Sequence, residues 1–320
     1  MKHLSFIFFL FFSLYWGQNT KSQNSSSKST TIPFVISDGV IFLKGEINGI
    51  GANIVWDNGF SYCGIDKSFS KKLGLEPNKV KKAMDGTGEI IGIGFTTIPS
   101  FKFGTIEKSK VKGIIFDSSV IPTDSKIDAI IGAELINQYI WDFNFDNNLL
   151  TVSKKPSQKE FVQEFPFVIG KDHIHFIPIE LGNKKVYIHS DFGSNSQFLE
   201  VSPHFAQLIF DKNIPKLTLE GGIYISVSGK NNNNDVSYLL KNSYGFATPT
   251  AELSPDFTPF VHITDHINED AVLGNNFFIN LGNLVIDPFE KKYKYYSSKK
   301  APTPYNFTNF GFKVFLEEGK

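Results

Sequence analysis

Residues 33–61 read PFVISDGVIFLKGEINGIGANIVWDNGFS, and residues 166–194 read PFVIGKDHIHFIPIELGNKKVYIHSDFGS. Both begin Pro-Phe-Val-Ile, alternate toward a glycine turn (Gly49, Gly182), and reach an Asp-x-Gly eight or nine residues later, at Asp57 and Asp191. Alternation broken by a glycine turn is the pattern of paired strands. An apolar pair ending in Gly follows each Asp: Ile130-Ile131-Gly132 comes 75 residues after the first, and Val272-Leu273-Gly274 comes 83 after the second. Similar tails close the two stretches, IWDFNFDNNLLTV and LVIDPFEKKYKYY. One plan used twice, with one carboxylate per copy, is a way to bring two acids face to face.

The chain has 320 residues, enough for two lobes with a core each. Its apolar fraction of 41%, with 33 Phe and 11 Tyr, fits a packed protein rich in strands. Basic and acidic residues balance at 32 each, so no net field favours nucleic acid or an anionic membrane. Every basic residue is lysine, which removes bidentate guanidinium contacts to phosphate and argues further against nucleic acid. Cys63 is the single cysteine, so no intrachain disulfide forms; it is expected as a small buried hydrophobe.

The organisation follows from composition shifts. Residues 1–17 carry Lys2 and His3 ahead of a 13-residue apolar run, Leu4–Trp16, too short to span a bilayer and suited to an export signal. An exported protein with no stable membrane span after signal removal is expected. Residues 18–31 are a polar linker, 32–155 a first lobe, 156–300 a second, and 301–320 a tail or strand. Asn48-Gly49 predicts a hairpin between Val40–Ile47 and Ala52–Trp56, and Gly182-Asn183 one between His173–Leu181 and Val186–Ser190. Asp66 and Ser202-Pro203 predict helix starts, and Asn231–Asn234 a solvated loop tip.

These residues together resemble the retropepsin-like and pepsin-like bilobal aspartyl proteases, more closely the tandem-lobed type that bacteria export. The resemblance covers about residues 32–297 and rests on Asp57-Asn58-Gly59 with Ile130-Ile131-Gly132, and Asp191-Phe192-Gly193 with Val272-Leu273-Gly274. It implies an all-β fold of two six-to-seven-stranded, barrel-like lobes with short helices. It also implies an aspartic endopeptidase acting on peptides or proteins, monomeric and without a cofactor, with Asp57 and Asp191 as the catalytic dyad. Two carboxylates roughly 3 Å apart cannot both ionise and share one proton. The ionised member can then activate water while the protonated one hydrogen-bonds the developing oxyanion. Gly59 and Gly193 would let the two acid loops approach each other. Gly86, Thr87 and Gly88 would form the tip of a lid over an extended substrate, and Gly221-Gly222 holds a comparable place in the second half.

Three positions depart from the family pattern, which has Thr or Ser after each Asp to lock the loops together. Here stand Asn58 and Phe192, and Phe60 follows Gly59. An Asn amide can partly replace the hydroxyl; a Phe ring cannot. A second expectation therefore stays open, a cleft that binds extended peptides or a surface partner with little or no turnover. A third is a β-rich structural or carbohydrate-contacting protein whose repeat is purely architectural. The histidine pairs His173/His175 and His262/His266 lack a third ligand at a diagnostic distance, so no metal site is expected. His189 is expected on the same strand face as Asp191.

Overall fold

A computed structural model describes residues 29–84, 90–121, 123–181, 184–194, 199–209, 216–226, 229–240, 247–248, 251–252, 260–263 and 270–299. The expected signal segment, the tip residues Gly86, Thr87 and Gly88, the turn Gly182-Asn183 and the tail 301–320 lie outside them.

The first half runs β1 (Thr30–Ser37), β2 (Val40–Ile47), β3 (Ile50–Trp56), β4 (Cys63–Asp66), α1 (Lys67–Lys72), β5 (Lys79–Met84), β6 (Ile90–Phe103), β7 (Ile106–Phe116), β8 (Ala129–Ile131), α2 (Ala133–Ile136), β9 (Ile140–Asn144) and β10 (Leu149–Ser153). Two dipeptide turns set its register. Asp38-Gly39 and Asn48-Gly49 all have positive φ, between 51° and 77°, the geometry whose twist matches the strands it joins. Phe34 therefore pairs with Leu43, and Phe42 with Val55. With that register fixed, alternation sends Ile41, Leu43, Ile54 and Trp56 into the core. Helix α1 starts where Asp66 accepts hydrogen bonds from the N–H groups of Ser68 and Phe69, and the chain leaves it through Gly74 at φ +66°.

The second half runs β11 (Gln163–Pro166), β12 (Val168–Ile169), β13 (His175–Leu181), β14 (Lys184–Asp191), β15 (Leu199–Val201), α3 (Pro203–Ile209), β16 (Lys216–Ser226), β17 (Gly229–Leu240), β18 (Ala247–Thr248), β19 (Ala251–Glu252), β20 (Phe260–Ile263), β21 (Ala271–Gly274), α4 (Asn275–Leu281), β22 (Asn283–Asp287) and β23 (Lys292–Tyr296). Ser202 caps α3 by accepting from Phe205 N–H. The halves place corresponding strands alike: β3 lies parallel to β8, as β14 does to β21, and β4 and β15 pair antiparallel with β8 and β21.

The chain is all-β in class, but its strands do not divide into six or seven per half. A 13-stranded sheet runs β11-β23-β22-β9-β10-β1-β2-β3-β8-β4-β7-β6-β5, and an eight-stranded sheet runs β12-β13-β14-β21-β15-β20-β17-β16. The longer sheet crosses the expected boundary because β22 pairs with β9, setting Leu284 opposite Phe143 and Ile286 opposite Trp141. A buried core follows this seam, with the Trp56 ring 5.7 Å from Trp141 and 5.1 Å from Phe143.

Four local expectations are corrected. β1 begins at Thr30, inside the expected linker, because Thr30 and Thr31 pair with Val152 and Thr151. Asn231–Asn234 lie within β17, where Asn231, Asn232 and Asn233 face Tyr224, Ile223 and Gly222 in the register. Gly221-Gly222 is not a tip but falls at the register shift of β16. His173 is not part of the strand expected over His173–Leu181; it sits at φ +70° in the turn before β13.

Candidate active site

Each Asp-x-Gly emerges at the end of a strand pinned by its apolar-apolar-Gly partner. β3 carries Asp57 past its end, where Asp57 N–H donates to Ile131 C=O at 3.1 Å. β14 ends at Asp191, which stands beside Gly274 in the parallel register. Ala133 N–H donates to Phe60 C=O at 2.7 Å, and Asn275 N–H to Ser194 C=O at 3.0 Å, so the start of each helix holds the loop that carries the acid.

The two loops meet with near mirror chemistry. Asp57 Oδ1 accepts the N–H groups of Gly59 at 2.8 Å and Phe60 at 3.1 Å. Asp191 Oδ1 accepts those of Gly193 at 2.7 Å and Ser194 at 3.2 Å. Each carboxyl stands against the glycine of the opposite loop, and the Asp191 charge acts on Asp57. A Cβ on Gly59 would lie 2.3 Å from Asp191 Oδ1, and one on Gly193 would lie 2.3 Å from the Asp57 carboxyl. Each glycine is thus required by the acid of the opposite half. Burial and the Asp191 charge hold the Asp57 carboxyl well above the usual carboxylate range, against the pull of the Gly59 and Phe60 amides.

The departures from the expected loop residues have specific consequences. Asn58 is fully buried and fully bonded: its Oδ1 accepts Phe192 N–H at 2.8 Å, and its Nδ2 donates to Ser190 Oγ at 3.1 Å and Tyr293 OH at 3.2 Å. The Phe192 ring does not wedge between the loops. It points into the core, 4.4 Å from the Phe278 ring in a stacked contact and edge-on to Trp56 at 5.0 Å. Phe60 is partly buried and packs beside the cluster of Phe42, Val55, Phe116, Ile127 and Ile130. Sequence reasoning missed Tyr293, Ser190 and His175, which form a buried polar group under the loops. His189 is buried against the Phe176 ring, 5.6 Å away. Cys63 is buried as expected, and burial pushes its thiol up to about 12, which keeps it unreactive.

The arms of the expected lid are β5 and β6, paired antiparallel from Lys79↔Phe95 to Met84↔Ile90. Val80 and Ile90 on these arms are exposed. In the second half β16 and β17 form the corresponding long hairpin, closing at Ser226↔Gly229. Among the described residues there is no cluster of three or more metal-ligating side chains, and no helix is long and apolar enough to cross a membrane.

Residues 43–135, which include Asp57-Asn58-Gly59 and Ile130-Ile131-Gly132, match the family model described as "Aspartyl protease". The match covers part of the first half, and the described fold is all-β in class. Among solved structures, a retropepsin-like aspartic protease from Rickettsia conorii is 22% identical, covering 39% of this chain and 90% of that one at a TM-score of 0.30. Basic 7S globulin from soybean is 6% identical, covering 84% of this chain and 94% of that one at a TM-score of 0.49. No curated protein matches the chain.

Proposed function

We propose that the protein is an aspartic endopeptidase whose catalytic pair is Asp57 and Asp191. The observation that carries this reading is the mutual approach of the two acids across paired glycines, each carboxyl filling the space of the other loop's missing Cβ. The pair shares one proton, whose titration belongs to both carboxyls together; burial and the neighbouring charge raise Asp57. The ionised partner takes a proton from water as the water oxygen bonds to the scissile carbonyl carbon. The protonated partner gives its proton to the carbonyl oxygen, producing a neutral tetrahedral diol. Transfer of a proton to the amide nitrogen then lets the C–N bond break, and the products are a carboxylic acid and an amine. No redox step or cofactor is needed.

The substrate lies extended along the β5–β6 arms, with Gly86, Thr87 and Gly88, which lie outside the described residues, proposed as further contacts. Export ahead of action on proteins outside the cytoplasm, by a monomer, completes the reading; its basis is the apolar run Leu4–Trp16. The location of Phe192 in the core removes the motive for a purely binding cleft. The test is digestion of an unfolded protein by the mature chain with and without pepstatin. Asp57→Asn and Asp191→Asn should each lower kcat by about 10³-fold or more with circular dichroism unchanged. Near wild-type turnover in either variant would remove that acid from the dyad.

A further inference from the structure

The Asn58 side chain ties the two acid loops together. The Phe192 side chain supplies no polar atom, so the side-chain part of the cross-loop bonds made by the residue after each Asp comes from Asn58, to which Phe192 donates its backbone N–H. Asn58 in turn stands at the head of a buried chain. Ser190 Oγ lies 2.7 Å from Tyr293 OH, Tyr293 OH lies 2.8 Å from His175 Nδ1, and His175 Nε2 lies 2.6 Å from Asn137 Oδ1. Asn58, Ser190, Tyr293 and His175 are all essentially inaccessible to solvent, whereas Asn137 is partly exposed.

The proton positions in this chain follow from its outer end. Asn137 Nδ2 donates to His173 C=O at 2.8 Å, which turns Oδ1 toward the imidazole. His175 must therefore donate through Nε2–H and accept at Nδ1. Tyr293 O–H fills that acceptor, leaving its own oxygen to accept from Ser190 and Asn58, and Ser190 Oγ accepts from Asn58 as well. Every donor finds an acceptor in one direction, from Asn58 outward to Asn137. Burial, with a lesser push from His189, lowers His175 to about 3, consistent with a neutral ring at this place.

The chain also crosses between halves. Asn58 and Asn137 belong to the first, Ser190, Tyr293 and His175 to the second, and β23 brings Tyr293 in from the sheet that spans both. We infer that Asn58, Ser190, Tyr293 and His175 are positioning residues that set the spacing of the Asp57 and Asp191 loops through this one-way chain. The inference rests on the peptidase reading only for its kinetic arm. The titratable groups around the chain are Asp57, Asp191, His175, His189 and Tyr293.

Tyr293→Phe tests it, because the ring keeps its packing against Phe167 and Phe278 while the chain loses its central hydroxyl. Carboxyl-carbon NMR of Asp57 and Asp191 across pH reads the spacing without turnover. If the chain sets the spacing, the upper titration step of the pair moves down toward the lower one in Tyr293→Phe, since separated acids repel less. Peptide hydrolysis at the same time should show kcat lower by about 10²-fold with KM little changed. A lower melting temperature with both titration steps and kcat as in the wild type would overturn the inference and reduce the chain to a structural one. Should Tyr293→Phe not fold, Ser190→Ala carries the same test with a smaller expected shift, because Asn58 still reaches Tyr293 directly. A wild type that cleaves nothing would end the peptidase reading, while the titration comparison would still decide the positioning role.

Discussion

At the scale of single residues, the loop glycines carry more constraint than the acids' immediate neighbours. Glycine after a turn is usually needed for backbone freedom, yet neither Gly59 nor Gly193 has a positive φ here. Each is small because the other half's carboxyl occupies the space of its missing Cβ. The Asp57 carboxyl cannot simply swing aside from a new methyl at position 193. Its Oδ1 is held by two amides, those of Gly59 and Phe60. Gly193→Ala should therefore push the pair apart, lower kcat by about 10²-fold or more and destabilise the fold by about 1–3 kcal/mol. Steady-state kinetics beside a urea unfolding curve would check this; retained kcat would mean that the loops have slack the contacts do not reveal.

At the scale of elements, helix α1 shows how one side chain can tie three segments. Asp66 caps the helix through Ser68 and Phe69 N–H, and its other oxygen accepts Ser118 N–H at 3.1 Å and Oγ at 2.7 Å, binding β4 to the segment after β7. Burial alone would raise this carboxyl, but the Ser68 and Ser118 bonds overcome it and bring it down to about 2. A folded value below the unfolded one, about 3.9, means that the contribution is complete above about pH 4 and is lost as pH falls through about 2. Asp66→Ala should cost about 2 kcal/mol at pH 7, and the difference from wild type should shrink toward pH 2 in urea titrations. The sequence made this cap legible, along with the β2–β3 hairpin and both pinned Asp loops, because each depends on residues within a few positions or on strand alternation. It did not disclose the Ser190–Tyr293–His175 group, whose members lie 103 and 118 residues apart and share no local spacing. Asn231–Asn234 misled for a related reason. Asparagine disfavours strands on its own, but pairing along the whole length of β16 overrides that local preference. Phe192 misled in the opposite sense, since its ring suggested a lost lock while its backbone N–H makes the bond to Asn58.

At the scale of the whole molecule, the halves share too much to behave as independent bodies. β22 and β23 from the second half extend the sheet that starts in the first, and Trp56, Trp141, Phe143, Phe192, Phe278 and Tyr293 form one buried group drawn from both. Separating the halves would bare these rings and leave β9 without a neighbour on one side, a loss of several kcal/mol by the scale of about 3–5 kcal/mol for deleting one buried aromatic ring. Because the acid pair exists only where the two loops meet, the site and the fold should fail together. Urea titration followed by far-ultraviolet circular dichroism, Trp fluorescence and peptidase activity should give one coincident transition. The buried Trp56 and Trp141 report the seam itself. Activity lost well before the fluorescence change would instead mean that the loops part while the seam is still closed, so that Asn58 and its partners yield before the shared sheet does.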